Sequence, residues 1–245
     1  MCNLYSMTSN QEAIRQFSQY LKIASNAGNL QSTEAVFANG WGPIVRNTAE
    51  GRELATCRWG MPSNPENLVG KNYDSGITNV RRHWIDHWSP FLGVESRCVV
   101  PWTSFSEPDQ ANKTNIFHWF ALSNERPLAF FAGVWTPQWT SCRKVKDGVT
   151  CDDLYAFFTT GPNAEVKAIH PKAMPVILRT PEEVEAWMTQ PWDVVKKTLI
   201  KSLPDGSLQI VGRGRKKDGP GMPIDSAPRP EPELVAEIPP QAELF

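Results

Sequence analysis

The second residue of the chain can carry out a chemistry that is closed to any internal cysteine. Cys2 follows Met1, and a side chain this small normally permits removal of the initiator methionine. The chain would then begin with an α-amine and a thiol on adjacent carbons, which titrate near pH ~7.7–8.0 and ~8.5. Such a 1,2-aminothiol condenses with an aldehyde to an imine, which the sulfur can close to a thiazolidine. The ordinary alternative is a tolerated second residue that is buried and inert.

Three further polar residues stand in segments that are otherwise built for packing: Asn79, Glu107 and His170. A carboxyl group with a raised pKa and a neutral imidazole are suited to proton transfer near neutral pH. Each residue also has a purely structural interpretation, as a turn-forming asparagine, a solvated loop carboxylate and a satisfied histidine. The four residues together predict a site only if the fold gathers them.

A metal site is the competing interpretation of the histidines. His83 and His87 are four residues apart with Asp86 between them, so two imidazoles could share a helix face. The glutamate of an HExxH motif is absent and no third ligand lies nearby in sequence, so we expect no metal and no cofactor. The basic run at residues 212–217 lacks the GxxxxGK(S/T) spacing of a phosphate loop.

Composition limits the classes of function. The 245 residues are 40% hydrophobic and 21% charged with a net charge of −1, so a sizeable core is possible and DNA contact would need a local basic patch. Five cysteines without CxxC spacing or a secretory signal indicate the cytoplasm, with Cys57 and Cys98 as buried packing residues. No segment approaches the ~20 apolar residues of a membrane helix. We expect a cytoplasmic monomer without membrane contact.

Hydrophobic periodicity and turn residues predict short strands with few helices. Capping-box spacing at Ser9 and Glu12 opens a predicted amphipathic helix of about four turns that ends near residue 28. Strands are predicted at residues 43–46, 53–59, 97–101, 116–122, 128–135, 154–160, 174–178 and 208–211. Further helices are predicted at residues 83–87, 180–189 and 191–203.

These elements predict an α+β fold, in which a curled, mostly antiparallel, barrel-like β-sheet is flanked by a few helices. The strands and helices alternate too unevenly for a regular parallel βαβ array. We place a single domain at residues 1–212. Residues 213–245 are rich in Pro and Glu after a short basic run, and we expect them to form a disordered tail.

Seven short motifs follow one another along the chain. They are Met1-Cys2-Asn3-Leu4-Tyr5, Arg58-Trp59-Gly60-Met61-Pro62, Thr78-Asn79-Val80-Arg81, Arg97-Cys98-Val99-Val100-Pro101, Thr103-Ser104-Phe105-Ser106-Glu107, Phe130-Phe131-Ala132-Gly133-Val134-Trp135 and Ile169-His170-Pro171-Lys172-Ala173-Met174-Pro175-Val176-Ile177-Leu178. In this order they resemble the SOS response-associated peptidase (SRAP) family, whose members cap abasic sites in single-stranded DNA. The resemblance covers roughly residues 2–200.

The resemblance implies a role for each reactive residue. Cys2 corresponds to the cross-linking nucleophile, and Asn79 to the residue that holds the α-amino group and the opened deoxyribose. Glu107 corresponds to the acid/base for imine formation and ring closure. His170 corresponds to the group that helps to open the sugar to its aldehyde and serves in reversal.

The resemblance also implies contacts with the phosphate backbone, at Arg81 and, by position, at Thr159 and Lys172. Three departures from the more widespread family pattern bear on the details of DNA contact, especially at residues 3 and 4. They are Asn3-Leu4 in place of Gly-Arg, His83-Trp84 after Arg82 in place of Glu-Thr, and Pro108 in place of Trp.

The residues and the resemblance together predict a sensor of abasic sites in single-stranded DNA. It would form a covalent thiazolidine cross-link through Cys2 in a lyase-like reaction that protects the lesion, acting at the nucleoid. Two alternatives remain open. In one, Cys2 is the nucleophile of a thiol peptidase or autoprocessing hydrolase, with His170 or Glu107 as base. In the other, the chain binds single strands or modified bases non-covalently through Trp and Arg.

Overall fold

Strands dominate the fold, which a computed structural model describes for residues 2–8, 23–24, 32–219 and 221–223. The strands are β1 (Leu4–Met7), β2 (Ile23–Ala24), β3 (Thr33–Phe37), β4 (Trp41–Thr48), β5 (Gly51–Trp59), β6 (Asn79–Val80), β7 (Arg97–Trp102), β8 (Ser104–Pro108), β9 (Phe117–Ala121), β10 (Ala129–Lys144), β11 (Gly148–Thr160), β12 (Met174–Pro175), β13 (Ile177–Leu178) and β14 (Gln209–Arg213). The helices are α1 (Ala164–Lys167), α2 (Pro181–Thr189) and α3 (Trp192–Thr198), with 3-10 helices at Pro65–Leu68, Asp86–Phe91, Val94–Ser96 and Val145–Asp147.

Five strands close into a barrel. Antiparallel pairing joins β5 to β4, β4 to β7, β7 to β10 and β10 to β11, and β11 then pairs in parallel with β5, where Leu154 meets Arg58. A second, antiparallel sheet has the strand order β14-β9-β8-β1-β3. Closure satisfies the strand edges that an open sheet would leave unpaired. The predicted α+β class with a barrel-like, mostly antiparallel sheet is confirmed.

The aromatic core reaches the first strand through Tyr5. Its ring packs edge-on against Trp59 at 5.3 Å and Phe131 at 5.9 Å, and its hydroxyl lies 2.6 Å from that of Tyr155. Gly42 is required beside this pair, because a Cβ atom there would collide with both hydroxyl groups. The N-terminal strand is therefore fixed to the core three residues after Cys2.

Most of the predicted strands are present, although their lengths differ. The hairpin of β10 and β11 is much longer than predicted and continues through the polar segment up to Lys144. The capping box at Thr180 forms as predicted, with Glu183 accepting from the Thr180 backbone, whereas α3 ends at Thr198 rather than near residue 203. The short strands β1, β3 and β8 were not predicted, because serines and single charges interrupt their apolar pattern.

Two helix predictions need correction. Most of the predicted helix at residues 9–28 lies outside the described residues, but its end is wrong, because Ile23–Ala24 pairs as a strand with β5. The predicted helix at residues 83–87 is also wrong: a 3-10 helix begins at Asp86 and includes Pro90, while His83 lies in the turn before it. Proline lacks the N–H that a continuing α-helix would use.

The described chain continues past the predicted domain boundary at residue 212. Asp218 is fully buried, and its carboxylate accepts hydrogen bonds from Ser104, Arg126 and Arg215. The expectation of disorder thus does not hold for residues 213–219. A disordered tail remains a prediction for residues 224–245, which lie outside the described residues.

Candidate functional site

Cys2 is completely buried at the start of the first sheet. Its Sγ atom lies 3.5 Å from the carbonyl oxygen of Leu4 and 3.8 Å from that of Ser106, which faces Leu4 across the β1–β8 pair. Burial raises the pKa of the Cys2 thiol well above its ordinary value, and the negative charge of Glu107 acts in the same direction. The sulfur is therefore a protonated thiol at neutral pH and needs a proton acceptor when it reacts.

Asn79 fixes the carbonyl end of Cys2. It lies on β6, whose parallel pairing with β11 sets Asn79 beside Phe157. Its Nδ2 atom donates to the Cys2 carbonyl oxygen at 2.8 Å and to Thr78 Oγ1 at 2.7 Å. Its buried Oδ1 atom forms no hydrogen bond with the part of the chain that the structure describes. One oxygen next to Cys2 is thus available to accept a hydrogen bond from an amine or a sugar hydroxyl.

Glu107 is a buried carboxyl group on the strand adjacent to Cys2. It lies on β8, opposite His118 of β9, and none of its surface is exposed. Burial raises the pKa of Glu107 to about 8, because water can no longer solvate the charged form. At neutral pH this group holds a proton that it can donate.

His170 completes the cluster from the segment that follows α1. Its Nδ1 atom lies 3.7 Å from Glu107 Oε2 and 3.0 Å from the carbonyl oxygen of Ala173. A carbonyl oxygen can only accept, so the neutral ring carries its proton on Nδ1 and presents Nε2 as an acceptor. Burial lowers the pKa of His170, which keeps the ring neutral.

Backbone hydrogen bonds connect the His170 segment to the strand of Glu107. The amides of Gln110 and Ala111, which follow β8, both donate to the carbonyl oxygen of Ile169 at 3.0 Å. The structure therefore brings Cys2, Asn79, Glu107 and His170 into one cluster, although they are distant in sequence. Their chemical roles remain predictions.

The three predicted phosphate contacts lie on the same side of the fold, but in different environments. Arg81 and Lys172 are exposed and adjacent, since the Arg81 guanidinium donates to the Lys172 carbonyl oxygen. Thr159 is buried on β11, opposite Pro175 of β12, and its hydroxyl forms no hydrogen bond within the described residues. Two of the three are accessible to a phosphate in this conformation.

Ser106 is the site residue that sequence reasoning missed. Its hydroxyl is buried without a hydrogen bond to the described chain, and its carbonyl oxygen lies next to the Cys2 sulfur. It also lines a groove of about 410 Å³ beside the N-terminus, together with Asn3, Leu4, Phe37, Ala38, Pro108 and Phe117. No signal in the sequence marks it, because a serine between Phe105 and Glu107 is typical of a polar loop.

The described part of the chain has neither a metal-binding cluster nor a membrane-spanning helix. There, no group of three or more His, Cys, Asp or Glu side chains could hold a metal ion. Over the same residues, no helix combines the length and the apolar character that crossing a membrane requires.

The chain is similar to a protein family and to several solved structures. A model of the SOS response associated peptidase (SRAP) family matches residues 1–212. No curated protein matches the chain. A crystal structure of a protein from Bacteroides thetaiotaomicron is similar, with a TM-score of 0.64 and 21% identity over 85% of this chain and 90% of that one. A protein from Bordetella bronchiseptica is also similar, with a TM-score of 0.60 and 21% identity over 85% and 97%.

A phage-related protein from Bordetella bronchiseptica shares the same architecture. Its TM-score is 0.59, with 18% identity over 85% of this chain and 92% of that one. At these identities the three structures establish a common fold.

Proposed function

The chain belongs to the SOS response associated peptidase (SRAP) family, and on that premise we propose that it captures abasic sites in single-stranded DNA. Cys2, exposed as the N-terminal residue by removal of Met1, is the nucleophile. The observation that carries the proposal is the convergence of Asn79, Glu107 and His170 on this one terminal residue. The protein acts as a monomer in the cytoplasm, at the nucleoid.

The reaction joins an aldehyde to an aminothiol with loss of one water. The α-amine of Cys2 attacks C1′ of the opened deoxyribose, and the resulting carbinolamine loses its hydroxyl as water to give an imine. The nitrogen of this imine keeps the last proton of the amine, so the thiol adds to the imine carbon, gives up its own proton and closes the ring. Because both nucleophiles belong to one residue, ring closure is intramolecular and has a large entropic advantage.

The neighbouring groups supply the proton transfers. Glu107, which is protonated at neutral pH, donates to the leaving hydroxyl and then accepts the proton of the Cys2 thiol as the sulfur attacks. His170 is neutral and accepts a proton at Nε2 when the sugar ring opens. Asn79 holds the carbonyl of Cys2 with Nδ2 and offers Oδ1 to the amine.

A thiol peptidase fits these groups less well. Thiolates are the nucleophiles of such enzymes, and their pKa values are lowered by nearby cations or helix N-termini. The pKa of Cys2 is instead raised by burial. Aldehyde capture begins with the amine, so a protonated thiol does not prevent it.

The proposal is tested with an oligonucleotide that carries one abasic site. We expect the mature protein to give a slowly migrating band on a denaturing gel, with an intact mass equal to protein plus DNA minus one water. Cys2→Ala should abolish the band, because the aldehyde imine can no longer close. Cys151→Ala is the matched control, since Cys151 is an exposed cysteine away from the cluster, and it should retain the band. A full band from Cys2→Ala would refute the assignment.

A further inference from the structure

Trp84 is the most exposed aromatic side chain in the described part of the chain. It is 69% accessible, compared with 51% for Trp41 and 39% for Trp139. A single exposed apolar side chain is common on protein surfaces and is not by itself evidence of a partner. Its surroundings indicate which partner it would take.

The Trp84 ring contacts one member of a cluster of packed aromatic rings. His83 packs edge-on against Trp84 at 5.2 Å and against Trp192 at 5.2 Å, and lies 6.2 Å from Phe158. Phe158 in turn packs against Trp192 at 5.6 Å. Trp84 thus contacts His83 in a T-shaped pair and keeps most of its own surface exposed, so a further ring could stack on it.

One ring of this cluster, Phe158, lies on a strand that contributes to the proposed site. Phe158 of β11 pairs with Val80 of β6, so it is next to Thr159 in one strand and faces the neighbour of Asn79 in the other. Trp84 is also only five residues after Asn79. Trp84 is therefore close to Asn79 and Arg81 in the chain, and the rings behind it reach the strand that pairs with Asn79.

The charge around Trp84 favours an anionic chain. Arg81 and Arg82 are both exposed, and the Arg82 guanidinium forms no hydrogen bond or ion pair with any described residue. Lys172 adds a third exposed cation beside Arg81. Asp86 is the exposed acidic residue nearest in sequence, so residues 81–86 carry a net charge of +1 from two arginines and one aspartate.

We propose that Trp84 stacks on the base of a nucleotide flanking the abasic position, and that Arg82 contacts the phosphate of that nucleotide. This subsite rests on the proposed capture of single-stranded DNA and extends it, because it makes one flanking base a determinant of affinity. Stacking on an aromatic ring tolerates any base, so the subsite would select for the presence of a base rather than for its identity.

The test uses two strands that cannot cross-link. One has a single central tetrahydrofuran residue, which cannot open to an aldehyde, between ordinary nucleotides. In the other, the flanking bases are also replaced by tetrahydrofuran, so that every phosphate remains. We expect Trp84→Ala to raise Kd roughly 5- to 100-fold on the first strand and to leave it unchanged on the second, whereas Trp84→Phe keeps most of the affinity.

Arg82→Ala gives the complementary pattern. It should weaken binding equally on both strands and reduce the slope of log K against log salt by about 0.7, the value for one phosphate contact on a single strand. Trp139→Ala is the matched control, because Trp139 is an exposed tryptophan that faces Asp152 across the β10–β11 hairpin, and it should change neither Kd. Equal losses from Trp84→Ala on both strands, or no loss on either, would overturn the subsite.

Failure of the subsite can be told apart from failure of the proposed function. The same variants are incubated with aldehyde-bearing abasic DNA at saturating protein, where affinity no longer limits the yield. If wild type cross-links but Trp84→Ala binds the base-bearing strand normally, only the subsite is wrong. If wild type fails to cross-link while the strand-dependent loss from Trp84→Ala persists, the capture reaction is wrong and the stacking subsite is supported.

Discussion

Two buried carboxyl groups flank the pairing of β1 with β8, and they illustrate opposite uses of burial. Asp218 is hydrogen-bonded to Ser6 and Ser104, which face each other at one end of the pair. Glu107 lies at the other end, beyond Ser106 and close to Cys2. Both side chains are fully buried. What differs is the set of groups around each carboxyl.

Asp218 is a structural anchor. Its carboxylate accepts two hydrogen bonds from Arg126, one from Arg215 and one from Ser104, while its carbonyl oxygen accepts from the Ser6 hydroxyl. Charge-assisted bonds of this kind offset the loss of water around a buried carboxylate. The segment that follows β14 is thereby fixed to both β1 and β8.

Glu107 is a buried carboxyl group in a different environment. It lies beside the imidazole of His170, whose pKa is lowered, and burial raises its own pKa to about 8. A carboxyl group with such a pKa is suited to exchange protons near neutral pH, which is the role proposed for it. The same strand pair is thus bound by an anchor at one end and carries a carboxyl group with a raised pKa at the other.

The largest expected effect is at the anchor. We expect Asp218→Ala to lower the free energy of unfolding by about 3–5 kcal/mol, because it leaves Arg126 buried without its counter-ion. Urea denaturation followed by far-UV circular dichroism measures the change. The protein that remains folded should still cross-link abasic DNA, and a stability equal to wild type would contradict the anchoring role.

Glu107→Gln should have the opposite effect on stability at alkaline pH. The folded wild type retains a proton on Glu107 up to about pH 8, whereas the unfolded chain releases it near pH ~4.5, so this group makes stability fall as pH rises between these values. Glutamine is neutral throughout. We expect the variant to exceed wild type by about 4 kcal/mol at pH 8.5 and to match it near pH 4.5, as measured by urea denaturation.

The pH dependence of capture tests the role of Glu107 as an acid. The rate should rise as the α-amine of mature Cys2 loses its proton near pH ~7.7–8.0 and fall as Glu107 ionises above about pH 8. Single-turnover gel assays from pH 6 to 10 should therefore give a bell-shaped profile. The falling limb, of about ten-fold per pH unit, should be absent in Glu107→Gln, and a profile unaltered by that substitution would exclude the assigned role.

Between the two carboxyl groups, Tyr5 provides a neutral reference. Tyr5→Phe removes one partner of a buried hydrogen bond and leaves the Tyr155 hydroxyl unsatisfied, which should cost about 1–2 kcal/mol. The cost should not vary between pH 5 and pH 8.5, because neither hydroxyl is charged there. A pH-dependent cost would show that charge, rather than hydrogen bonding, governs this part of the strand.

Much of the fold was predictable because local patterns agree with the final structure. The apolar runs that became β5, β7 and β9 and the capping box that opens α2 are recognisable from neighbouring residues alone. Strand β8 was not predictable, because its serines indicate a polar loop until β1 and β9 cover it. The length of the β10–β11 hairpin could not be predicted either. Its outer half is exposed and polar, and it is stabilised by strand pairing rather than by burial.

Part of the candidate site was also predictable from the sequence, and part was not. The types of Cys2, Asn79, Glu107 and His170, and their order, were evident from the sequence and its family resemblance. Ser106 was missed because a serine in an apparent loop carries no signal of burial. For Thr159, an expected surface contact, only the structure shows a buried hydroxyl.

The sequence by itself determined which candidate groups this protein has: a cysteine at position 2, an amide, a carboxyl group and an imidazole, in the order of a known family. The tertiary structure decided their proton affinities and their proximity. Proton affinity depends on water being excluded from Glu107, His170 and Cys2, and that exclusion is achieved by strands far away in the chain. Residue type sets the possible chemistry, but only the packed environment sets the pKa.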